Sequence, residues 1–219
     1  MDFARQLRGF GPVGILAILV ILLIGNSVPL VPASALLVLA WARVSHTPLR
    51  EIGFVRPKSW ILTVAAGIVF GIAFKLLMKA LVMPLFGADP VNHAYHYLVG
   101  NPAALPAAIW TMIVVGGFGE ETVYRGFLFE RLGKLLGSGV WAKTLIVVLT
   151  ATLFGLGHFV DQRLAGLEQA LITGTIFGTI FAVTGRIFLP MIAHAAFDLA
   201  ALAIIYWDLE TTVAHFIFK

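Results

Sequence analysis

The sequence contains no cysteine, and only 12% of its 219 residues are charged. Without cysteine the chain cannot form disulfides, thiolate nucleophiles or thiolate metal sites, so any metal would have to be bound by His, Asp or Glu. Hydrophobic residues make up 60% of the chain and the mean hydropathy is +0.97, whereas soluble proteins are about 45 to 50% apolar and about 25% charged. This composition predicts one polytopic membrane domain over residues 1–219, in contact with the lipid bilayer.

The apolar blocks predict an all-α transmembrane bundle of about six to eight membrane-embedded helices. The first block, residues 9–42, is too long for one straight span of about 20 residues, and Asn26, Pro29 and Pro32 mark a break in it. We expect a helical hairpin over residues 1–43 or one long kinked helix. A signal peptide is the competing interpretation, because Ala33-Ser34-Ala35 resembles a cleavage site. Further apolar blocks cover residues 60–86, 103–118, 144–160, 167–184 and 187–207.

The positions of the basic residues predict the orientation of the chain. Lys and Arg favour the cytoplasmic side of a membrane, and here they flank the hairpin at both ends, so its N-terminus and the connector at residues 44–59 are expected in the cytoplasm. The loop at residues 87–102 has no Lys or Arg and is expected outside, with its Asp89, His93 and His96 exposed to solvent. The basic residues concerned are Arg5, Arg8, Arg43, Arg50, Arg56 and Lys58.

The most informative motif is a pair of glutamates followed by an arginine, Glu120, Glu121 and Arg125. Ionisable residues inside a span are costly, so they indicate a functional site by default. On a helix Glu121 and Arg125 share a face and can form an ion pair, whereas Glu120 points about 100° away. Glu120 is then free to take a proton. A purely structural ion pair, or a helix end that reaches water, is the alternative interpretation.

Two histidine motifs follow in later apolar blocks. His158 ends the run Phe154-Gly-Leu-Gly-His158, and alone it would be read as an interfacial or packing residue. His194 and Asp198 are four residues apart on one helix face. A carboxylate that accepts one imidazole N–H leaves the other ring nitrogen free for water, substrate or metal. The alternative is a hydrogen-bonded pair that only joins helices.

Together the three motifs resemble the type II CAAX prenyl endopeptidase and bacteriocin-processing family, also called CPBP or Abi. The order Glu-Glu-x-x-x-Arg, Phe-x-x-x-His and His-x-x-x-Asp is intact within residues 116–200, and residues 49–57 resemble a connector that many members carry. The resemblance implies an intramembrane endopeptidase with its core at residues 103–207. Its substrate would be a peptide or protein reached through or at the membrane, and its location the plasma membrane of a prokaryote. The sequence has no nucleic-acid-binding motif, so no nucleic-acid partner is expected.

The resemblance also implies roles for the motif residues. Glu120 would activate water with the help of His158, while His194 and Asp198 would stabilise the oxyanion. Glu121 and Arg125 would hold the site together. A zinc site made of Glu120, His158 and His194 is possible by residue type. We favour a site with no cofactor, because Arg125 would place a permanent cation near the ion and His-Glu-x-x-His is absent.

A membrane protein without hydrolytic chemistry is the competing class. Buried Glu and His residues also serve as proton relays, so a proton-coupled transporter or a non-catalytic scaffold would use similar residues. Transporters commonly repeat their broken helices in two halves of the chain, and the early half of this chain has no counterpart of the late polar motifs. This difference favours the endopeptidase.

Overall fold

A computed structural model describes residues 2–218, and the regular secondary structure in this range is helical throughout. The predicted polytopic helix bundle is confirmed: four helices, α4 to α7, are long and apolar enough to cross a membrane, and the shorter α2 and α3 are also apolar. The chain is therefore an integral membrane protein. The helices are α1 Phe3–Arg8, α2 Pro12–Gly25, α3 Val31–Val44, α4 Trp60–Leu85, α5 Pro102–Leu136, α6 Val140–Thr184, α7 Phe188–Tyr206 and α8 Glu210–Ala214.

The first apolar block forms two short helices rather than one kinked helix. Asn26 ends α2, and a 3₁₀ turn at Val28–Leu30 leads into α3, which has proline in its first turn. Proline is well tolerated there because its missing N–H would have no helical partner. Ser34 Oγ donates a 2.7 Å hydrogen bond to the Ile21 carbonyl and joins the two helices.

Small residues let the long helices approach closely. A Cβ at Gly71 would lie 2.2 Å from the Ala193 carbonyl oxygen, and one at Gly67 would lie 2.7 Å from Ile192 Cγ2, so α4 packs directly on α7. Without a hydrophobic drive between helices in lipid, such close packing is a main source of association. This contact places α7, the helix that carries His194, against α4.

Helix α6 contains both of the apolar blocks at residues 144–160 and 167–184, and a break at Arg163 separates them. Arg163 has φ 55° and ψ −147°, outside the helical region. Gly155 lies against Leu171, and Gly174 lies against Ala151. The two halves therefore fold back on each other, which returns the chain to the side of the membrane where α6 began and places His158 just before the turn.

Helix α5, which carries the glutamate pair, is not the regular α-helix that the sequence predicted. Residues Thr111–Leu128 have i→i+5 hydrogen bonding over 18 residues, and α-helical geometry resumes at Phe129. Such π-helical bonding is normally limited to single turns and is frequent at functional sites. The wider helix still keeps Glu121 and Arg125 in contact.

Candidate active site

Glu121 and Arg125 form the buried centre of the site. Arg125 Nη1 donates to Glu121 Oε1 at 2.8 Å, and both side chains are at most 1% exposed. The guanidinium lies 4.9 Å from the ring centroid of Phe154, and Arg125 Nη2 also contacts the Gly174 carbonyl at 3.4 Å. A buried charge needs a partner, because its desolvation otherwise costs several kcal/mol. The predicted ion pair is present, and it connects α5 to both halves of α6.

His194 is oriented by Glu121 from another helix. Its Nδ1 lies 2.7 Å from Glu121 Oε1. The carboxylate that pairs with Arg125 can only accept a hydrogen bond, so Nδ1 is the donor. Nε2 then faces two other carboxylates, at 3.6 Å from Glu120 Oε2 and 3.5 Å from Asp198 Oδ2. One imidazole therefore links both glutamates of the first motif.

This geometry corrects the expected role of Asp198. The sequence predicted that Asp198 would accept an imidazole N–H of His194 and fix its tautomer. In the structure that hydrogen bond goes to Glu121, while Asp198 Oδ2 stays 3.5 Å from the opposite ring nitrogen and forms no hydrogen bond with it. Spacing of four residues predicts a shared helix face, but it cannot reveal a stronger acceptor that arrives from α5.

His158 has a different hydrogen bond. Its Nδ1 lies 3.0 Å from the Phe154 carbonyl oxygen one turn earlier. Because a carbonyl oxygen only accepts, Nδ1 carries the proton and Nε2 of the neutral ring is left as an acceptor. The ion pairs of residues 2–218 include no contact between His158 and a carboxylate. His158 is therefore free to bind a water molecule or a substrate.

A cavity of about 530 Å³ joins Glu120, His158 and Asp198. Its wall also includes Tyr124 and Lys75, together with the α2–α3 turn and the loop after α4. Glu121, Arg125 and His194 are absent from this wall. The six residues predicted from the motifs thus form two layers, with three side chains that line the cavity and three buried behind them. We refer to this space as the active-site cavity.

The cavity also explains how His158 can meet Glu120. At about 1.5 Å per residue along a straight span, His158 would lie near one end of its apolar block and Glu120 nearer mid-depth. The active-site cavity extends to that end of the bundle, where Asn26 between α2 and α3 and Pro90 in the loop after α4 contribute to its wall. Both residues are therefore reached from one water-accessible space.

Two further residues were missed by the sequence argument. A Cβ at Gly116 would lie 2.5 Å from Asp198 Oδ2, so a larger residue there would push this carboxylate away from α5. Lys75 lines the active-site cavity from α4. The lysine carried a usable signal, since a charge inside an apolar span is costly. Gly116 carried none, because its importance depends on a contact between residues distant in sequence.

The residues named as possible zinc ligands do not fit one ion in this geometry. His194 Nε2 lies 3.6 Å from Glu120, but His158 is not among the groups in contact with either. Across residues 2–218, no three His, Asp or Glu side chains are arranged to hold a metal ion. Metal dependence stays a prediction for experiment. His93 and His96, in the loop at residues 87–102, are exposed as expected, and His93 Nε2 lies 3.1 Å from Asp89 Oδ2.

Comparison with known proteins identifies the region that holds these motifs. Residues 102–200 match the family model described as type II CAAX prenyl endopeptidase Rce1-like. The match covers 99 of the 219 residues, slightly less than half of the chain. The resemblance found in the three motifs is thereby confirmed, because all six motif residues lie within the matched range.

A distant relative found by sequence comparison is consistent with the same family. The membrane-embedded CAAX protease MroQ of Staphylococcus aureus (strain USA300) is 21% identical over 164 residues, which are 74% of this chain and 65% of the relative. The chain thus matches slightly less than two thirds of that protein's length. No solved structure matches the chain significantly.

Proposed function

We propose that this chain is an intramembrane endopeptidase in which Glu120 activates the water that attacks a peptide bond. The observation that carries the proposal is the separation of the two glutamates. Glu120 lines the active-site cavity, with 14% of its side chain exposed, whereas Glu121 is fully buried and paired with Arg125. A general base must reach water, while its neighbours must hold it in place.

The proposed reaction uses three side chains in turn. Glu120 takes a proton from water as the water oxygen bonds to the scissile carbonyl carbon, and the acceptor Nε2 of His158 helps to position that water. Glu120 then passes the proton to the amine nitrogen as the C–N bond breaks. His194, when doubly protonated, donates one N–H to Glu121 and directs the other towards the oxyanion. Donors preplaced at a developing negative charge contribute strongly to catalysis.

Asp198 is assigned a supporting place in this scheme. As a carboxylate it accepts hydrogen bonds and cannot stabilise an oxyanion directly. Its Oδ2 lies 3.5 Å from His194 Nε2, where it favours the imidazolium form of the ring. We infer that Asp198 keeps His194 charged and able to donate. This role differs from direct oxyanion binding, which the family resemblance had implied.

The setting of the reaction is part of the proposal. The substrate is a peptide or protein that reaches the cavity through or at the membrane, and the site is glutamate-dependent without a metal cofactor. The S. aureus relative supports the plasma membrane of a prokaryote, and the basic residues around the hairpin support a cytoplasmic N-terminus. With that orientation, the active-site cavity opens on the outer side.

The test compares cleavage by wild-type protein and two variants. Membranes carrying wild type, Glu120→Gln or His158→Ala are analysed by proteomics for new peptide termini, and the cleavage found is then repeated with purified protein in detergent. Both variants should abolish cleavage. A substrate cut equally by wild type and Glu120→Gln would contradict the role of Glu120. Loss of wild-type activity with a chelator, and its recovery with zinc, would contradict the metal-free site.

A further inference from the structure

Lys75 is a buried cation in the wall of the active-site cavity that the proposed reaction does not use. It lies within the span α4, its exposure is 7%, and its position borders the same space as Glu120 and His158. A charge held inside a membrane span is costly and usually has a function. None of the three family motifs contains it.

The hydrogen bonds of Lys75 leave part of its ammonium unused. Nζ donates to Gln169 Oε1 at 2.9 Å and lies 4.8 Å from the centroid of the Phe197 ring. Both partners are uncharged, and an ammonium has three N–H donors. Within residues 2–218, Lys75 has no carboxylate oxygen at ion-pair distance. Within this range the ammonium therefore forms no direct ion pair with the carboxylates of the cavity wall.

Lys79, one helical turn further on, shows what a paired lysine looks like in the same wall. Its Nζ lies 2.8 Å from Glu210 Oε1 and also donates to the Pro90 carbonyl. Glu210 in turn accepts a 3.0 Å hydrogen bond from the Asn92 backbone N–H. Lys79 is neutralised and holds the loop after α4 in place. Lys75 has no equivalent task.

The arrangement points to an anionic group of the substrate. We propose that Lys75 binds a carboxylate of the peptide substrate, either its C-terminal carboxylate or an acidic side chain, and so determines which peptides the cavity accepts. The inference rests on the proposed function for the nature of the ligand. Glu120 and Asp198 line the same cavity, and within residues 2–218 neither forms an ion pair with Lys75, so the ammonium is available to the carboxylate while the neutral scissile bond faces Glu120.

Binding to the inactive Glu120→Gln protein tests this inference without any need for cleavage. The probes are three fluorescent octapeptides derived from one apolar sequence: the free C-terminal acid, its C-terminal amide, and the amide in which one internal residue is replaced by glutamate. Fluorescence polarisation in detergent gives each Kd. The acid peptide, the glutamate peptide or both should bind at least about 10-fold more tightly than the plain amide, as a charged hydrogen bond implies. The stronger of the two identifies the source of the carboxylate.

Matched variants show whether Lys75 is responsible. Lys75→Met keeps the apolar stem and should reduce the preference to about 1-fold, while Lys75→Arg should retain most of it. Arg163→Met removes a cation from the cavity rim and should leave the preference unchanged. Equal binding of all three peptides, no saturable binding of any, or a preference that survives Lys75→Met would each overturn the inference. If the wild type cleaves a substrate but shows no preference for a carboxylate, the inference about Lys75 is wrong, while the proposed endopeptidase function still holds.

Discussion

Helix α5 carries two buried Glu–Arg pairs, and only one of them belongs to a site. Glu121–Arg125 lies beside His194, and its neighbour Glu120 faces the active-site cavity. Glu130–Arg131 is equally buried, with Arg131 Nε 2.5 Å from Glu130 Oε2, but it is absent from the cavity wall. A buried ion pair in a membrane helix is therefore insufficient to identify a site.

The surroundings of the second pair explain its different role. The Arg131 guanidinium lies 4.5 Å from the centroid of the Trp41 ring, and Nη1 donates to the Arg8 carbonyl at 2.7 Å. Trp41 Nε1 in turn donates to the Leu7 carbonyl at 3.1 Å. These contacts attach α1 and α3 to the core. What distinguishes the first pair is an accessible carboxylate and a histidine next to it.

The largest expected effect is on stability, and it should be similar for both pairs. Arg125→Met and Arg131→Met each leave a buried glutamate without its cation, which typically costs about 3 to 5 kcal/mol. Both variants should melt well below wild type in detergent, as measured by differential scanning fluorimetry. A variant that melts like wild type would mean that its glutamate is protonated or solvated in the protein.

Replacing both residues of an ion pair should reduce the cleavage rate for the pair beside His194 and not for the pair beside Trp41. Replacing a buried pair by apolar or neutral groups of similar size is often close to neutral for stability, so both double variants should recover much of the lost stability. Glu130→Gln with Arg131→Met should keep cleavage within a few-fold of wild type. Glu121→Gln with Arg125→Met should lose about 100-fold, because a misplaced His194 costs catalytic positioning on this scale. Equal losses in the two double variants would contradict the comparison.

A smaller effect is expected from two glycines of α5. Gly116→Ala would place a methyl group against Asp198, and cleavage should fall by about 10-fold, since a displacement of the order of 1 Å in an active site can cost up to about 100-fold. Gly133→Ala is the matched control, because a Cβ there meets nothing within 4 Å. The control should keep full activity and gain up to about 1 kcal/mol of stability. Unchanged cleavage in Gly116→Ala would show that the position of Asp198 is unimportant.

The smallest effect concerns the connector near the second pair. Burial raises the pKa of Glu51, but hydrogen bonds from Lys134 and Arg8 outweigh it and hold the pKa below its ordinary value of 4.5. The folded state thus favours the ionised form, so this stabilisation is present above pH 4.5 and is lost as the pH falls through the lowered pKa. Glu51→Gln should cost at most about 1 kcal/mol at pH 7. A cost that persists at low pH would contradict the ionic origin.

Local parts of this structure could be predicted from the sequence, and long-range pairings could not. The hairpin break followed from the prolines near Asn26, and the Glu121–Arg125 pair followed from a spacing of four residues. The hydrogen bond between Glu121 and His194 joins residues 73 apart, and the one between Lys75 and Gln169 joins residues 94 apart. Neither spacing carries a periodic signal, because both depend on how the helices pack.

One backbone departure from the α-helix was likewise hidden, and another was not. The π-helical bonding of Thr111–Leu128 has no signal in the sequence, whereas the turn at Arg163 lies in the polar stretch 161–163 that separates two predicted apolar blocks. Tertiary contacts decide such geometry. The turn at Arg163 nevertheless matters for function, because it holds His158 beside the active-site cavity.

The central claim is that adjacent glutamates of α5 have different tasks, and Glu120→Gln tests it most directly. The measurement is the cleavage rate of a purified substrate by this variant, with its melting temperature recorded in the same detergent. Loss of a general base should reduce the rate by about 100- to 10,000-fold, while melting stays close to wild type because Glu120 forms no ion pair with Arg or Lys within residues 2–218. A rate within a few-fold of wild type would contradict the account.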